Sequence, residues 1–281
     1  MQHPSKPLAK TRQGTLAGSA EQGIHIWRGI PYAAPPVGPL RWRAPQPAAR
    51  WQGVRPAETF SAASWQDIDY CRELGGGDPG AFSEDCLYLN VWAPASAAQP
   101  LPVMVWLHGG GFTIGAGSLP PYDGKALASR DVVVVTVNYR LGHLGFFAHP
   151  ALEEEAGERL YNFALLDQIA ALQWVQENIH AFGGDAANVT LFGESAGARS
   201  VLSLMASPKA KGLFHKAIIQ SGVLEDFIDE ENTDAKPLIR AMLQELNMEE
   251  SDIEKWEDMP YRELADAYNK VSDKVLAEGG Y

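Results

Sequence analysis

Cysteine, positive charge and long apolar runs are all scarce in this 281-residue sequence, and each scarcity removes a class of protein. Only two cysteines are present, Cys71 and Cys86. They could close one disulfide, but no signal-like segment precedes them, so they read as free thiols. No Cys/His group has zinc-ligand spacing, and no metal or organic cofactor is expected. No stretch approaches the ~18 uninterrupted apolar residues of a membrane span, so no transmembrane helix is expected. The N-terminal stretch Met1-Gln2-His3-Pro4-Ser5-Lys6-Pro7 has no apolar core. No secretory signal is therefore expected, which points to the cytoplasm. Lys and Arg number 23 against 35 Asp and Glu, a formal net charge of −12. That balance offers no footprint for nucleic acid or for an anionic membrane surface. The acidic excess is local: residues 223–281 carry 17 acidic and 6 basic side chains. This tail reads as a solvated helical surface.

What is present centres on Gly193-Glu194-Ser195-Ala196-Gly197. An apolar run, Val189 to Phe192, leads in, and a helix-compatible run, Ala198 to Met205, leads out. Strand, Gly-x-Ser-x-Gly and helix together predict a nucleophile elbow, with Ser195 exposed on a sharp turn. Glycine on both sides removes the Cβ atoms that such a turn would crowd. A serine of this kind needs an oxyanion hole, and His108-Gly109-Gly110-Gly111-Phe112 follows the apolar run Leu101 to Leu107. Successive glycines let backbone N–H groups point at developing negative charge. The N–H of Ala196, the residue after the serine, adds a further donor.

Along the chain, Gly14–Gly18 and Ile24–Trp27 read as a hairpin of two short strands. Residues 31–50 are proline-rich and excluded from helix, and 61–83 form a second irregular segment. Leu87 to Trp92 reads as a strand. Leu101 to Leu107 and Val132 to Val137 are apolar on both faces, the pattern of strands buried inside a parallel sheet. Residues 163–179 have helical apolar spacing, and 188–192 and 216–221 read as strands. This alternation predicts an α/β sheet with right-handed crossovers and a site at the carboxyl ends of its strands. Beyond 222 only helices are expected: one carrying Ile239, Met242, Leu243 and Leu246, and one over Tyr261 to Leu276, with Pro260 in its first turn.

Several segments carry a resemblance to a known family. They include Arg28-Gly29-Ile30-Pro31-Tyr32-Ala33 with Pro35-Pro36-Val37-Gly38, and Ser83-Glu84-Asp85-Cys86-Leu87-Tyr88-Leu89-Asn90-Val91. The His108–Phe112 motif, Asn138-Tyr139-Arg140, Asn162 to Gln168 and Phe182-Gly183-Gly184-Asp185 follow in order. The Gly193–Ala198 elbow and Leu213 to Gly222 complete the series. Over residues 14 to 222 the chain resembles the N-terminal part of the type-B carboxylesterase family, to which the cholinesterases belong. The resemblance implies an α/β-hydrolase fold in incomplete form: the N-terminal portion of the sheet, the elbow helix and a helical acidic tail. Residues 1–222 would be the N-terminal part of the hydrolase domain, and 223–281 an acidic helical segment of it. It implies Ser195 as nucleophile, oxyanion-hole N–H groups from Gly110, Gly111 and Ala196, and Glu194 in a buried polar network. It also implies structural ion pairs Arg41–Glu84 and Arg140–Asp167, and a small-molecule ester as substrate.

Two departures stand out. Where the family commonly has a cysteine before Pro-Gln, this chain has Ser64-Trp65-Gln66, with Cys71 further on. The family's disulfide to the Cys86 position is therefore not carried over. In α/β-hydrolases the triad runs Ser, Asp/Glu, His along the chain. Here His215 alone follows Ser195, and it precedes the strand 216–221, at the end away from the elbow. Glu225 and Asp226 follow that strand as candidate acids, but no later histidine exists for either to orient. The acid and base would thus come from residues beyond 281, from a separately encoded chain acting as a complementing C-terminal segment, or from nowhere, and Ile218 and Ile219 are expected to be partly exposed. The alternative is a non-catalytic esterase-like binding or adhesion module, or an inactive fragment.

Overall fold

A computed structural model describes residues 6–74, 76–157, 160–223, 236–249 and 252–277. Among the described residues ten strands form two sheets. In the smaller one, β2 (Thr15–Ala17) pairs antiparallel with β1 (Leu8–Lys10) and parallel with β5 (Val54–Pro56). The larger sheet contains β3 (Ser19–Glu21), β4 (Ile24–Pro31), β6 (Tyr88–Pro94), β7 (Leu101–Leu107), β8 (Val133–Val137), β9 (Gly184–Glu194) and β10 (Lys216–Gln220). Its order is β10-β9-β7-β8-β6-β4-β3, parallel from β10 to β8 and antiparallel beyond. The helices are α1 (Ile68–Glu73), α2 (Lys125–Ala128), α3 (Gly142–Gly145), α4 (Pro150–Ala156), α5 (Phe163–Asn178), α6 (Ala196–Ala206), α7 (Lys236–Leu246), α8 (Ile253–Asp258) and α9 (Tyr261–Ala277). Among the described residues no helix is long and apolar enough to cross a membrane.

The continuous apolar runs account for the centre. All five residues of β8 are buried, and the core includes Val103, Val105, Leu107, Val135, Leu172, Val175, Val189 and Leu191. Strands buried on both faces need no alternation. The amphipathic α6 covers β9 and buries Ala198, Val201 and Leu204. Gln168 of α5 reaches it, donating from Nε2 to Ser200 Oγ at 3.0 Å.

Four expectations change. The segment 61–83 is not irregular throughout: it contains α1, whose first N–H groups the Asp67 carboxylate caps. The partner of the 24–27 strand is β3, not Gly14–Gly18: the hairpin turns at Gln22-Gly23, and Ser19 faces Ile26. Gly18 is where the chain switches sheets; a Cβ there would lie 2.3 Å from Ile26 O and 2.7 Å from the Trp27 ring. Pro260 stands just before α9, and its carbonyl accepts from the Glu263 N–H at 3.0 Å. The acidic tail also does more than cover a surface. Ile239, Met242, Leu243, Trp256, Leu264 and Val271 form a second apolar cluster with Trp42, Phe147 and Phe163. The six-residue α8 that supplies Trp256 is too short to show a periodicity in sequence.

Both ion pairs are formed. Arg140 binds Asp167 through Nε (2.8 Å) and Nη2 (2.7 Å), with the Arg140 N–H on the same carboxylate at 3.1 Å. Arg41 binds Glu84 in the same forked manner, at 2.7 and 2.6 Å. Its remaining nitrogen, Nη1, donates to Trp256 O (2.6 Å) and Met259 O (2.8 Å), the carbonyls at the end of α8. Arg43 adds Glu257 at 2.6 Å and Glu155. The proline-rich segment 31–50, irregular apart from a 3-10 turn at Gly38–Leu40, therefore clamps the tail onto the sheet domain. Both cysteines are buried and free. Burial pushes the Cys86 thiol well up, while the Ser64 hydroxyl hydrogen-bonds it and works in the opposite direction.

Substituting Arg41 by Met leaves the Glu84 carboxylate and two carbonyls without their donor. Breaking a buried pair in this way costs about 3–5 kcal/mol. Arg41→Met is expected to expose the α7–α9 segment to hydrogen exchange before the sheet opens; equal loss across the whole chain would refute a local clamp.

Candidate active site

Three strand ends build the site. Gly193 on β9 sits opposite Leu107, the last residue of β7. Glu194 sits opposite Gln220, the last residue of β10. Ser195 follows at once, with φ 52° and ψ −119°, and α6 begins at Ala196. A positive φ at a non-glycine residue costs on the order of 1–3 kcal/mol and must be enforced by its surroundings. Here the Ser195 N–H donates to Gln220 O at 2.9 Å, and the Ser195 carbonyl accepts from the Arg199 N–H at 3.0 Å. A Cβ on Gly197 would lie 2.0 Å from Leu107 O, and one on Gly193 would lie 2.5 Å from the Gly197 carbonyl carbon. Both flanking glycines are therefore required sterically.

The glycine loop leaves β7 directly against this turn. A Cβ on Gly109 would meet Glu194 Oε2 at 2.7 Å and the Ser195 Cβ at 3.2 Å. Gly110 (φ 106°), Gly111 (φ 59°) and Phe112 (φ 61°) all take positive φ. The Gly110 carbonyl turns away, accepting the N–H groups of Thr113 and Ile114 at 3.0 Å. The N–H groups of Gly110 and Gly111 donate to no acceptor among the described residues. Glu194 is half-buried. With burial as the larger cause, its charge helps push the Tyr122 hydroxyl up.

His108 anchors the loop from below. Its ring stacks on Tyr139 at 4.3 Å and 11°, and its Nδ1 lies 2.9 Å from Gly109 O. Burial pulls its pKa down to about 4, so it is neutral at pH 7. The Tyr139 hydroxyl donates to His108 O at 2.6 Å. The direction of the Tyr139 hydroxyl leaves no trace in sequence spacing; Phe112 packs edge-on to Phe146 at 5.1 Å.

His215 is remote from the elbow. Its backbone N–H donates to Val189 O at 2.8 Å, and its Nδ1 accepts from the Val189 N–H at 3.2 Å. Val189 is six residues before Ser195 on β9, about 20 Å along an extended strand. Glu225 and Asp226 lie outside the described residues. Among the described residues no strand pairs with the outer edge of β10; Ile218 and Ile219 are 43% and 38% exposed, as expected from sequence.

An elbow serine beside a glycine loop at the carboxyl ends of parallel strands is the arrangement of an α/β-hydrolase. The profile of the carboxylesterase family matches residues 5–279, and the chain belongs to that family. The match takes in the acidic tail, which resembles the family in its helical character. The chain is 45% identical over 265 residues to the para-nitrobenzyl esterase of Bacillus subtilis, covering 94% of this chain and 53% of that protein. It is 49% identical over 218 residues to the fumonisin B1 esterase of Sphingopyxis macrogoltabida, covering 77% and 40%. Among solved structures, a para-nitrobenzyl esterase superposes with a TM-score of 0.85 at 44% identity, covering 96% of this chain and 54% of that one. A polyester-hydrolysing esterase from Clostridium hathewayi gives 0.88 at 39% identity, covering 100% and 56%. The chain spans about half the length of the relatives it matches.

Two predictions arise from this geometry. Gly197→Ala drives a methyl group into Leu107 O, and is expected to abolish soluble, cooperatively folding protein; a normal melting transition would show that the elbow can relax. The second concerns pH. His143 on α3 is buried between Tyr261 (5.0 Å) and Tyr268 (5.5 Å). Burial, aided by Arg41, pulls its pKa down to about 4. His108 and His143 thus have folded pKa values below their ordinary 6.5. Below that value the unfolded chain binds more protons, so stability is complete above pH ~6.5 and falls toward pH ~4. Each shift corresponds to about 3 kcal/mol at most. Urea midpoints should drop between pH 7 and 5, and His143→Phe should flatten the slope.

Proposed function

We propose that this chain supplies the nucleophile and oxyanion hole of a serine carboxylic-ester hydrolase. The observation that carries the reading is the strained Ser195 elbow beside a loop whose Gly110 and Gly111 N–H groups have no acceptor among the described residues. Ser195 Oγ would attack the ester carbonyl carbon. The N–H groups of Gly110, Gly111 and Ala196 would hold the tetrahedral oxyanion, each such donor contributing on the order of 10²–10³ in rate. Collapse expels the alcohol and leaves an acyl-serine, which water hydrolyses. Glu194, against Gly109, would belong to the polar network that supports the loop.

The proton from Ser195 requires a base, and His215 is pinned at the far end of β10. The base and its orienting acid would come from a segment outside these 281 residues. The open β10 edge, with Ile218, Ile219 and Val223 exposed, is where that segment would extend the sheet. Substrates would be small-molecule esters, in keeping with the para-nitrobenzyl esterase and the fumonisin B1 esterase that the chain resembles. A non-catalytic binding module has no use for a strained nucleophile, and this chain keeps one.

The test is para-nitrophenyl acetate hydrolysis by the chain and by Ser195→Ala. Each is assayed alone and with the C-terminal half of the Bacillus subtilis para-nitrobenzyl esterase added. A serine without its base keeps only residual catalysis, so the chain alone should hydrolyse poorly and the added half should raise the rate about 10³-fold. Equal rates for the complemented chain and complemented Ser195→Ala would eliminate the proposal.

A further inference from the structure

The glycine loop is braced from behind by a side chain that lies outside the site. Residues 61–66 run beside the loop without regular structure and are tied to the end of β8: Asn138 Nδ2 donates to Ala62 O at 3.2 Å, and the Leu141 N–H donates to Ser64 Oγ at 3.1 Å. At the end of this strap is Gln66. Its Oε1 accepts from the Gly115 N–H at 2.7 Å, and its Nε2 donates to Gly115 O at 2.8 Å. The second Nε2 hydrogen goes to Ser64 O at 3.0 Å. The amide thus offers one donor and one acceptor to a single glycine, as a neighbouring strand would.

Gly115 is in turn pressed against the loop. It has φ 112°, and a Cβ there would lie 2.3 Å from His108 Nδ1 and 2.7 Å from Gly109 O. The preceding carbonyl, Ile114 O, occupies the space beside Gly110, 2.3 Å from where its Cβ would be. Two residues on, the Gly117 N–H donates to Asn138 Oδ1 at 2.8 Å. A run of glycines has no intrinsic preference for one backbone state, so its shape must be imposed. The backbone of Gly115 is the surface that imposes it, and Gln66 is what holds Gly115.

We infer that Gln66 is a positioning residue for the oxyanion loop: by fixing Gly115 it sets the backbone of His108–Gly111 and the aim of the Gly110 and Gly111 N–H groups. The inference rests on the proposed role of that loop. Its first test, however, reads the loop directly, without catalysis. Gln66→Leu keeps the size of the side chain and removes both bonds to Gly115. Amide hydrogen exchange of residues 108–117 in the 281-residue chain is expected to accelerate about tenfold, the equivalent of one or two hydrogen bonds. Peptides from β6 and β8 should be unchanged. Gln66→Glu provides a readout that a purely structural role would not move. Its carboxylate cannot donate to Gly115 O at pH 7.5. At about pH 4.5 protonation begins to restore one donor and one acceptor in the same plane, and protection relative to the parent chain should recover.

Unchanged exchange over 108–117 in Gln66→Leu would overturn the inference. So would acceleration spread evenly over the sheet, or a Gln66→Glu variant with no recovery at low pH. In the complemented ester assay, kcat should fall about tenfold with KM within about twofold, the signature of lost transition-state stabilisation; a change confined to KM would also overturn it. Should complementation yield no Ser195-dependent activity at all, the functional reading fails, and exchange still decides what Gln66 does.

Discussion

The contact on which the rest of the structure depends is between backbones: Leu107 O at the end of β7 lies against the Cα of Gly197 in the first turn of α6. Nothing larger than hydrogen fits between them. That closeness follows from β7 and β9 being neighbours in register, with Leu107 opposite Gly193. One strand therefore ends in the glycine loop and the other in the elbow, and the two turns touch. The strain at Ser195 is sustained because three strands hold it: β9 carries it, β7 blocks relaxation on one side, and Gln220 of β10 takes its N–H on the other. A sheet buried on both faces is rigid enough to store such a conformation.

Around this rigid centre the irregular segments are held by single polar side chains as well as by small apolar clusters. Arg41 joins Glu84 to the end of α8, Arg140 joins Asp167 to Arg43 O, and Asn138 joins Ala62 to Gly117. Each bridges pieces of chain far apart in sequence. Side chains serve this purpose where long stretches rich in proline and glycine cannot pair their own backbones. A forked guanidinium suits the task, since it satisfies a carboxylate and still has a donor left for carbonyls. The same devices bring the acidic tail, whose surface charge suggests independence, into one body with the sheet domain through Trp42 and Trp256.

What could be read from the sequence follows from which signals are local. Leu101–Leu107 and Val133–Val137 declare themselves because a strand buried on both faces must be apolar throughout. The elbow declares itself because sterics demand glycine at two fixed positions. Gly14–Gly18 was misassigned because two short strands on either side of Gly18 join different sheets, a choice settled by Ile26 and Trp27 rather than by neighbours in sequence. Gln66, Tyr139 and the second bond of Arg41 were illegible for a related reason. Each acts through a hydrogen bond to a backbone atom, and a backbone atom has no residue type to recognise. The apolar face of the tail was visible as helical spacing, but the tryptophan it packs against lies more than 200 residues earlier.

The two halves of ester chemistry make different demands on a fold. Stabilising an oxyanion requires donors already in place, and in the proposed reaction these would be backbone N–H groups held by β7, β9 and Gly115. Moving a proton requires a base that can reach the serine. His215, the one histidine after Ser195, uses its ring to cap a strand pair. On the proposed reading the described core would be preorganised for electrostatics, and the exposed strand β10 would be the part of the sheet nearest to proton transfer. Ile218 and Ile219 stand exposed on β10, and the carbonyl of Gln220 on that same strand holds the elbow N–H. Whatever extends the sheet at β10 therefore packs against the strand that fixes Ser195. Delivery of a base and tightening of the nucleophile would be coupled through one five-residue strand.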